Sequence, residues 1–149
     1  MSQEQSSGVP GWLNTVMKGV LRSPLHSMVS KSILLISFTG RKSGKTYTTP
    51  VSYMQEGDVI NVFTHGQWWR NLQGGAPVTL RLRGKNVQGM GEPVVEDKAA
   101  IAETLTRHLR RNHIDAKYYG VTYDEQGEPR PDEVQRGAED TIMIRIHLN

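Results

Sequence analysis

The sequence contains no cysteine, which removes disulfides, thiolate nucleophiles and thiolate metal sites together. Histidine is sparse: His26, His65, His108, His113 and His147 include no pair at i, i+4 spacing, so no helix-borne metal site is written into the chain. No G-x-S-x-G elbow offers a serine nucleophile. No carboxylate pair has a context that suggests glycoside chemistry, because the acids gather in one polar stretch. No apolar run approaches the roughly 20 residues that a membrane-crossing helix needs. The opening residues, MSQEQSSG, are polar and carry no secretory signal, so a reducing, cytoplasmic setting is expected. What is left is a chain without an evident nucleophile or metal of its own. If it is an enzyme, a bound cofactor carries the chemistry.

What the chain does hold is a balance typical of one soluble domain, with 36% apolar and 22% charged residues over 149 positions. Residues 1–8 read as a disordered tail and 9–149 as a single domain. That domain opens with an amphipathic helix over 10–22, whose Trp12, Leu13, Val16, Met17, Val20 and Leu21 form one stripe. The stripe suits packing on the body, or weak association with a membrane surface. The net charge is +3, but residues 124–140 alone carry seven acids against two arginines. The rest of the chain is therefore strongly cationic. That favours an anionic partner: a phosphorylated cofactor, nucleic acid or a membrane surface.

Strands are predicted over 32–39, 45–54, 58–64, 77–83, 86–95 and 140–148. Val78, Leu80 and Leu82 alternate with Thr79, Arg81 and Arg83, and Ile142, Ile144, Ile146 and Leu148 alternate with polar partners and Met143. This is the half-buried pattern of antiparallel sheet. Two helical pieces interrupt it, over 68–75 and 96–112. The sum is a mainly β fold with flanking helices, its six short sequential strands closed or partly closed into an antiparallel barrel.

Three stretches stand out. TGRKSGKT (39–46) is one residue short of a phosphate loop, which needs four residues between its glycines and a helix after them. Here a β-branched strand with Pro50 follows instead. A cationic glycine turn between strands either binds an anion with its free N–H groups and side chains or is a solvated hairpin tip. WWRNL (68–72) places two tryptophans side by side on a short helix, so either one enters the core while the other lines a groove, or both pack. KYYGVTY (117–123) puts Tyr118, Tyr119 and Tyr123 beside the acidic stretch. These read as a lid over a flat ligand or as anchors of a long loop. Nucleic-acid binding is disfavoured because no stacking aromatics interleave with the cationic strands.

Taken together, SILLISFTGRKSGKTYTTPVSY, WWRNL and PVTLRL resemble the deazaflavin (F420)-dependent nitroreductase family over about residues 30–95. That resemblance implies a split β-barrel of the FMN-binding type. It also implies coenzyme F420 as cofactor, with FMN the alternative, and a hydride delivered to a small electron-poor acceptor such as a quinone, nitroaromatic or activated enone. It assigns Arg41, Lys42, Ser43, Gly44 and Lys45 to the anionic tail of the cofactor, and Thr49, Pro50 and Val51 to the flank of its ring. Phe63, Thr64, His65 and Gly66 would approach the ring, with Trp68 and Asn71 beside it. The proton would come from solvent or from Tyr118, Tyr119 or Tyr123. A homodimer is compatible with the family. The rival reading is a split-barrel protein that binds flavin, haem or fatty acid without catalysis. Two features depart from the family pattern: THGQ (64–67) before the tryptophans, and the length of the acidic loop 124–139.

Overall fold

The computed structural model of the protein describes residues 33–149. The expected tail and the helix over 10–22, with the membrane reading attached to it, lie outside the described residues. Six antiparallel strands follow one another: β1 Ile33–Thr39, β2 Thr46–Glu56, β3 Val59–Thr64, β4 Ala76–Leu82, β5 Lys85–Val94 and β6 Ile142–Leu148. They close into a barrel in the order β1-β2-β3-β6-β5-β4. The seam is short. β1 pairs with β2 all along its length, from Ile33↔Ser52 to Thr39↔Thr46, but with β4 only from Leu35↔Arg81 to Ser37↔Thr79. Beyond Ser37 the two strands part, and this is the split.

Alternation along the strands divides the side chains between two cores. Leu34, Ile36, Phe38, Val51, Ile60, Val62, Val78, Leu80, Ile144 and Ile146 fill the barrel, closed at one end by Trp68 and Leu72. The other faces of β3 and β6 carry Phe63 and Met143 outward, into a second cluster with Ile101, Leu105, Leu109, Val121 and Val134. That cluster lies beneath a helical cap. The cap consists of α1 Lys98–Arg111, a 3₁₀ segment His113–Tyr119, and α2 Pro131–Glu139.

Local chemistry sets the ends of these helices. The Asp97 carboxylate accepts from the Ala100 N–H at 3.0 Å and caps α1, while His108, Arg110 and Arg111 occupy its last turn, where the helix dipole favours cations. The 3₁₀ segment stops at Gly120 in the left-handed region, φ 70°.

The structure corrects the sequence reading in this cap. The stretch 124–139 is not one acidic loop: its second half is α2, with Pro131 at the start and Asp132 and Glu133 in the first turn. The tyrosine stretch is no free loop either, since Tyr118 and Tyr119 close a 3₁₀ segment. The piece expected over 68–75 is a 3₁₀ turn, Trp68–Leu72.

Candidate active site

The β1–β2 hairpin tip is cross-linked from within. The N–H of Gly40 donates to the Lys45 carbonyl and that of Gly44 to the Gly40 carbonyl, both at 2.8 Å. The Lys45 N–H donates to Ser43 Oγ at 3.2 Å, and that hydroxyl also meets the Tyr47 hydroxyl at 2.8 Å. Gly44 sits at φ 72°, where other residues are strained. Of the N–H groups expected to hold an anion, that of Gly44 is thus committed to the turn itself. Those of Lys42 and Ser43 have no partner among the described residues. Arg41, Lys42 and Lys45 are exposed around them. Two such N–H groups beside exposed cations are the pattern of donors that suits an anion. Beside the hairpin base, where β1 and β4 part, lies a groove of about 280 Å³ whose lining includes Ser37, Thr39, Thr46 and Thr79.

The turn is not free to swing. The Arg41 N–H donates to Asn71 Oδ1 at 3.0 Å and its guanidinium to Gln73 Oε1 at 2.7 Å. Asn71 Nδ2 donates in turn to the Trp68 carbonyl at 2.9 Å. The Trp68 indole N–H reaches Thr64 Oγ1 at 3.1 Å, and the same oxygen accepts the Gly66 N–H at 3.0 Å. A continuous chain of hydrogen bonds therefore ties the cationic turn to the loop at the end of β3. Asn71 uses both ends of its amide in this chain, so it acts as a bracket.

Trp68 is 1% exposed and stacks on Phe38 with centroids 5.1 Å apart. The split between the two tryptophans is resolved: Trp68 belongs to the barrel core, and half-buried Trp69 lies under the Arg70 guanidinium at 5.6 Å. The three strand residues expected beside a ring also divide. Thr49 and Val51 share the inward face with Ile36 and are buried, so their side chains are turned away from any surface ligand. Pro50 faces outward. Next to it on that face the Ser37 and Thr48 hydroxyls bond at 2.8 Å.

At the β3 end, Phe63 is buried against the His108 ring at 5.2 Å. His65 is exposed. Tyr119 meets both Phe63 and His65 edge-on, at 6.4 and 5.6 Å. Burial, followed by the nearby Asp115 carboxylate, pushes the Tyr119 hydroxyl well above its ordinary range, so it stays protonated and able to donate. The other two tyrosines differ. The Tyr123 hydroxyl is engaged with the Leu109 carbonyl at 2.6 Å, with its ring on His113 at 4.1 Å. Tyr118 is 65% exposed and lies beneath the Lys117 ammonium. Only Tyr119 is brought to the loop that carries His65.

Two features of this region escaped the sequence reading. His108 Nε2 and Asp115 Oδ2 form a buried pair at 2.8 Å, with side chains 2% and 6% exposed. Thr141, fully buried, contacts His65 Nε2 at 3.1 Å. Neither leaves a motif, because each joins residues brought together only by the cap.

The fold is a split β-barrel with a cationic hairpin tip, tied by hydrogen bonds to the loop after β3 and flanked by a helical cap. The family model of the F420H(2)-dependent quinone reductases matches residues 18–126. The chain belongs to that family, and is an F420-dependent oxidoreductase. No curated protein matches the sequence. Among solved structures, an F420-H2 dependent reductase (FDR-A) is 14% identical and covers 78% of this chain and 95% of its own, with a TM-score of 0.51. A candidate 5-nitroimidazole antibiotic resistance protein from Bacteroides thetaiotaomicron is 13% identical over 83% of this chain and 77% of its own, TM-score 0.54. The haem storage protein HutZ from Vibrio cholerae is 10% identical over 86% and 90%, TM-score 0.53. At these identities the likeness is one of fold. Among the described residues, no helix is long and apolar enough to cross a membrane.

Proposed function

We propose that this protein uses reduced F420 to reduce quinones, nitroaromatics or activated enones, with the cofactor's anionic tail held at the β1–β2 turn. The observation that carries the proposal is the hydrogen-bond chain from Arg41 through Asn71 and Trp68 to Thr64. It fixes a cationic, N–H-rich anchor at a set distance from the loop that carries His65, against which the cap packs Tyr119. A flat ring alone is poorly oriented, whereas a tail clamped at one end fixes its angle.

The residues present suit such a group. Arg41, Lys42 and Lys45 supply charge, and the N–H groups of Lys42 and Ser43 supply directed donors. Pro50 offers an apolar flank on the outer face. Reduced F420, when bound, supplies the hydride. The chain's own contribution is to hold the ring and the acceptor in line, to exclude water with the aromatic cap, and to stabilise charge on the acceptor oxygen. The Tyr119 hydroxyl, protonated at any working pH and without a hydrogen-bond partner among the described residues, serves that last purpose. Tyr118 and Tyr123 are placed less well for it.

The test is a fluorescence titration of F420 against wild type and Lys42→Ala at low and high salt, with the tail-less chromophore as control. Lys42→Ala is expected to weaken binding about tenfold, near 1.4 kcal/mol, and added salt to weaken the wild type as well. Equal affinity for the tailed and tail-less forms returns the turn to a solvated hairpin tip.

A further inference from the structure

Thr141 immediately precedes β6, and its hydroxyl makes two contacts. Oγ1 lies 2.8 Å from the Gly137 carbonyl oxygen and 3.1 Å from His65 Nε2. A carbonyl oxygen only accepts, so the one hydroxyl hydrogen of Thr141 points at Gly137. Toward His65 the hydroxyl has a lone pair alone, and Nε2 must carry the hydrogen between them. The other ring nitrogen, Nδ1, has no partner among the described residues, and the ring is exposed. One buried hydroxyl thus settles the tautomer of an exposed imidazole. The Nε2–H is held, and Nδ1 is the nitrogen left open to solvent and substrate.

The ring is also fixed in place. Tyr119 lies edge-on to it at an interplanar angle of 69°. The Tyr119 main chain rests on α2 at Gly137, where an added Cβ would come within 2.8 Å of the Tyr119 carbonyl oxygen. Gly137 therefore both receives the Thr141 hydroxyl and seats the tyrosine segment, a close approach that a side chain would forbid.

Resting on the reductase reading above, we infer that His65 is the general acid of the reaction, protonating the acceptor oxygen from Nδ1. The balance is that of a two-electron reduction. The acceptor gains a hydride from reduced deazaflavin, which is left oxidised. The Nδ1–H bond breaks and an O–H bond forms on the acceptor, so that a quinone becomes a hydroquinone. His65 is left as the neutral imidazole, still donating Nε2–H to Thr141, and solvent returns the proton to Nδ1. The charge-bearing groups on the elements around this ring are few. Lys98 of α1 donates to the Thr141 carbonyl at 3.0 Å, Asp115 lies behind Tyr119, and Glu139 and Asp140 precede Thr141 at exposed positions.

Three variants of the full chain test this: His65→Gln, whose amide reaches Thr141 much as Nε2 does but cannot shuttle a proton, His65→Ala, and Thr141→Val. In ¹⁵N-labelled wild type, long-range ¹H–¹⁵N spectra are expected to show neutral His65 protonated on Nε2, with Thr141→Val giving a mixture of tautomers. With F420H2 and menadione, His65→Gln is expected to lower kcat about 100-fold with the KM for F420H2 within about threefold. A general acid at this position also predicts a wild-type rate that falls with rising pH, and His65→Gln is expected to remove that fall. Added imidazole restores part of the rate to His65→Ala. A neutral wild-type His65 protonated on Nδ1 overturns the inference, as does His65→Gln with the wild-type kcat and pH profile. A wild type that binds F420 but reduces nothing overturns the reductase reading and the acid role with it. Wild-type turnover thus separates that failure from the failure of His65 alone. Thr141 is buried and its variant can lose the fold, so the two His65 variants, which alter an exposed side chain, decide the outcome.

Discussion

The barrel and the cap are each built around an apolar cluster, but they are different kinds of interior. Inside the barrel the buried side chains are nearly all aliphatic or aromatic, supplied by strict alternation on six strands. Beneath the cap, Phe63, Ile101, Leu105, Leu109 and Met143 share their space with the buried polar residues Thr104, His108, Asp115 and Thr141. Buried polar groups are costly unless paired, and paired ones fix a single arrangement. The barrel is therefore a scaffold that tolerates conservative repacking. The cap's polar contacts, His108 with Asp115 and Thr141 with His65 and Gly137, tie its segments to one another and to the end of β3.

The largest effect tests the barrel. Trp68→Ala empties the plug stacked on Phe38 and is expected to cost about 4 kcal/mol, read as a shift in the urea midpoint with an unchanged slope. A loss below about 1 kcal/mol would mean that the barrel end collapses around the gap, and the contrast with the cap would weaken.

A smaller and more local effect is expected from Asp115→Asn, which leaves the buried His108 without its carboxylate. The cost is about 2–3 kcal/mol, and it should fall on the cap. Hydrogen exchange should quicken in α1 and the 3₁₀ segment His113–Tyr119 while the β1 and β4 amides keep their protection. Uniform acceleration across both regions would show that barrel and cap unfold as one unit.

The smallest effect concerns the join between the two. Arg107 of α1 grips Glu56 at the end of β2, at 2.9 Å. The hydrogen bond from Arg107 holds the Glu56 carboxyl below its usual range. A carboxyl depressed on folding stabilises the protein above its unfolded pKa, and that stabilisation fades as pH falls through the folded value. With both side chains about a third exposed, Glu56→Gln is expected to cost about 0.5 kcal/mol at pH 7 and to flatten the stability loss below pH ~4. An unchanged acid limb in thermal melts from pH 3 to pH 7 would remove this pair from the account.

The sequence by itself determined the strands and a barrel-like sheet. Alternation in residues such as Val78, Leu80 and Leu82 is a local property of each strand, and hairpins join neighbours in the chain, so six strands and their antiparallel hairpins were legible, whereas the β1–β4, β3–β6 and β5–β6 ladders that close the barrel were decided by the tertiary structure. The cationic turn was legible too, because its glycines and charges are contiguous. The helix α2 was masked by charge: Val134 and Ala138 are its only buried residues, too few to show a helical period. Its start was nonetheless written in Pro131, Asp132 and Glu133, the residues that suit a helix N-terminus. Tertiary structure alone decided which face each site residue presents. It turned Thr49, Val51 and Trp68 inward, engaged Tyr123 with Leu109, and brought Tyr119 to His65. It also set the His65 tautomer, through a hydroxyl 76 positions away in the chain. Contacts at such separation leave no periodic trace, because they are made only when the cap closes over β3 and β6.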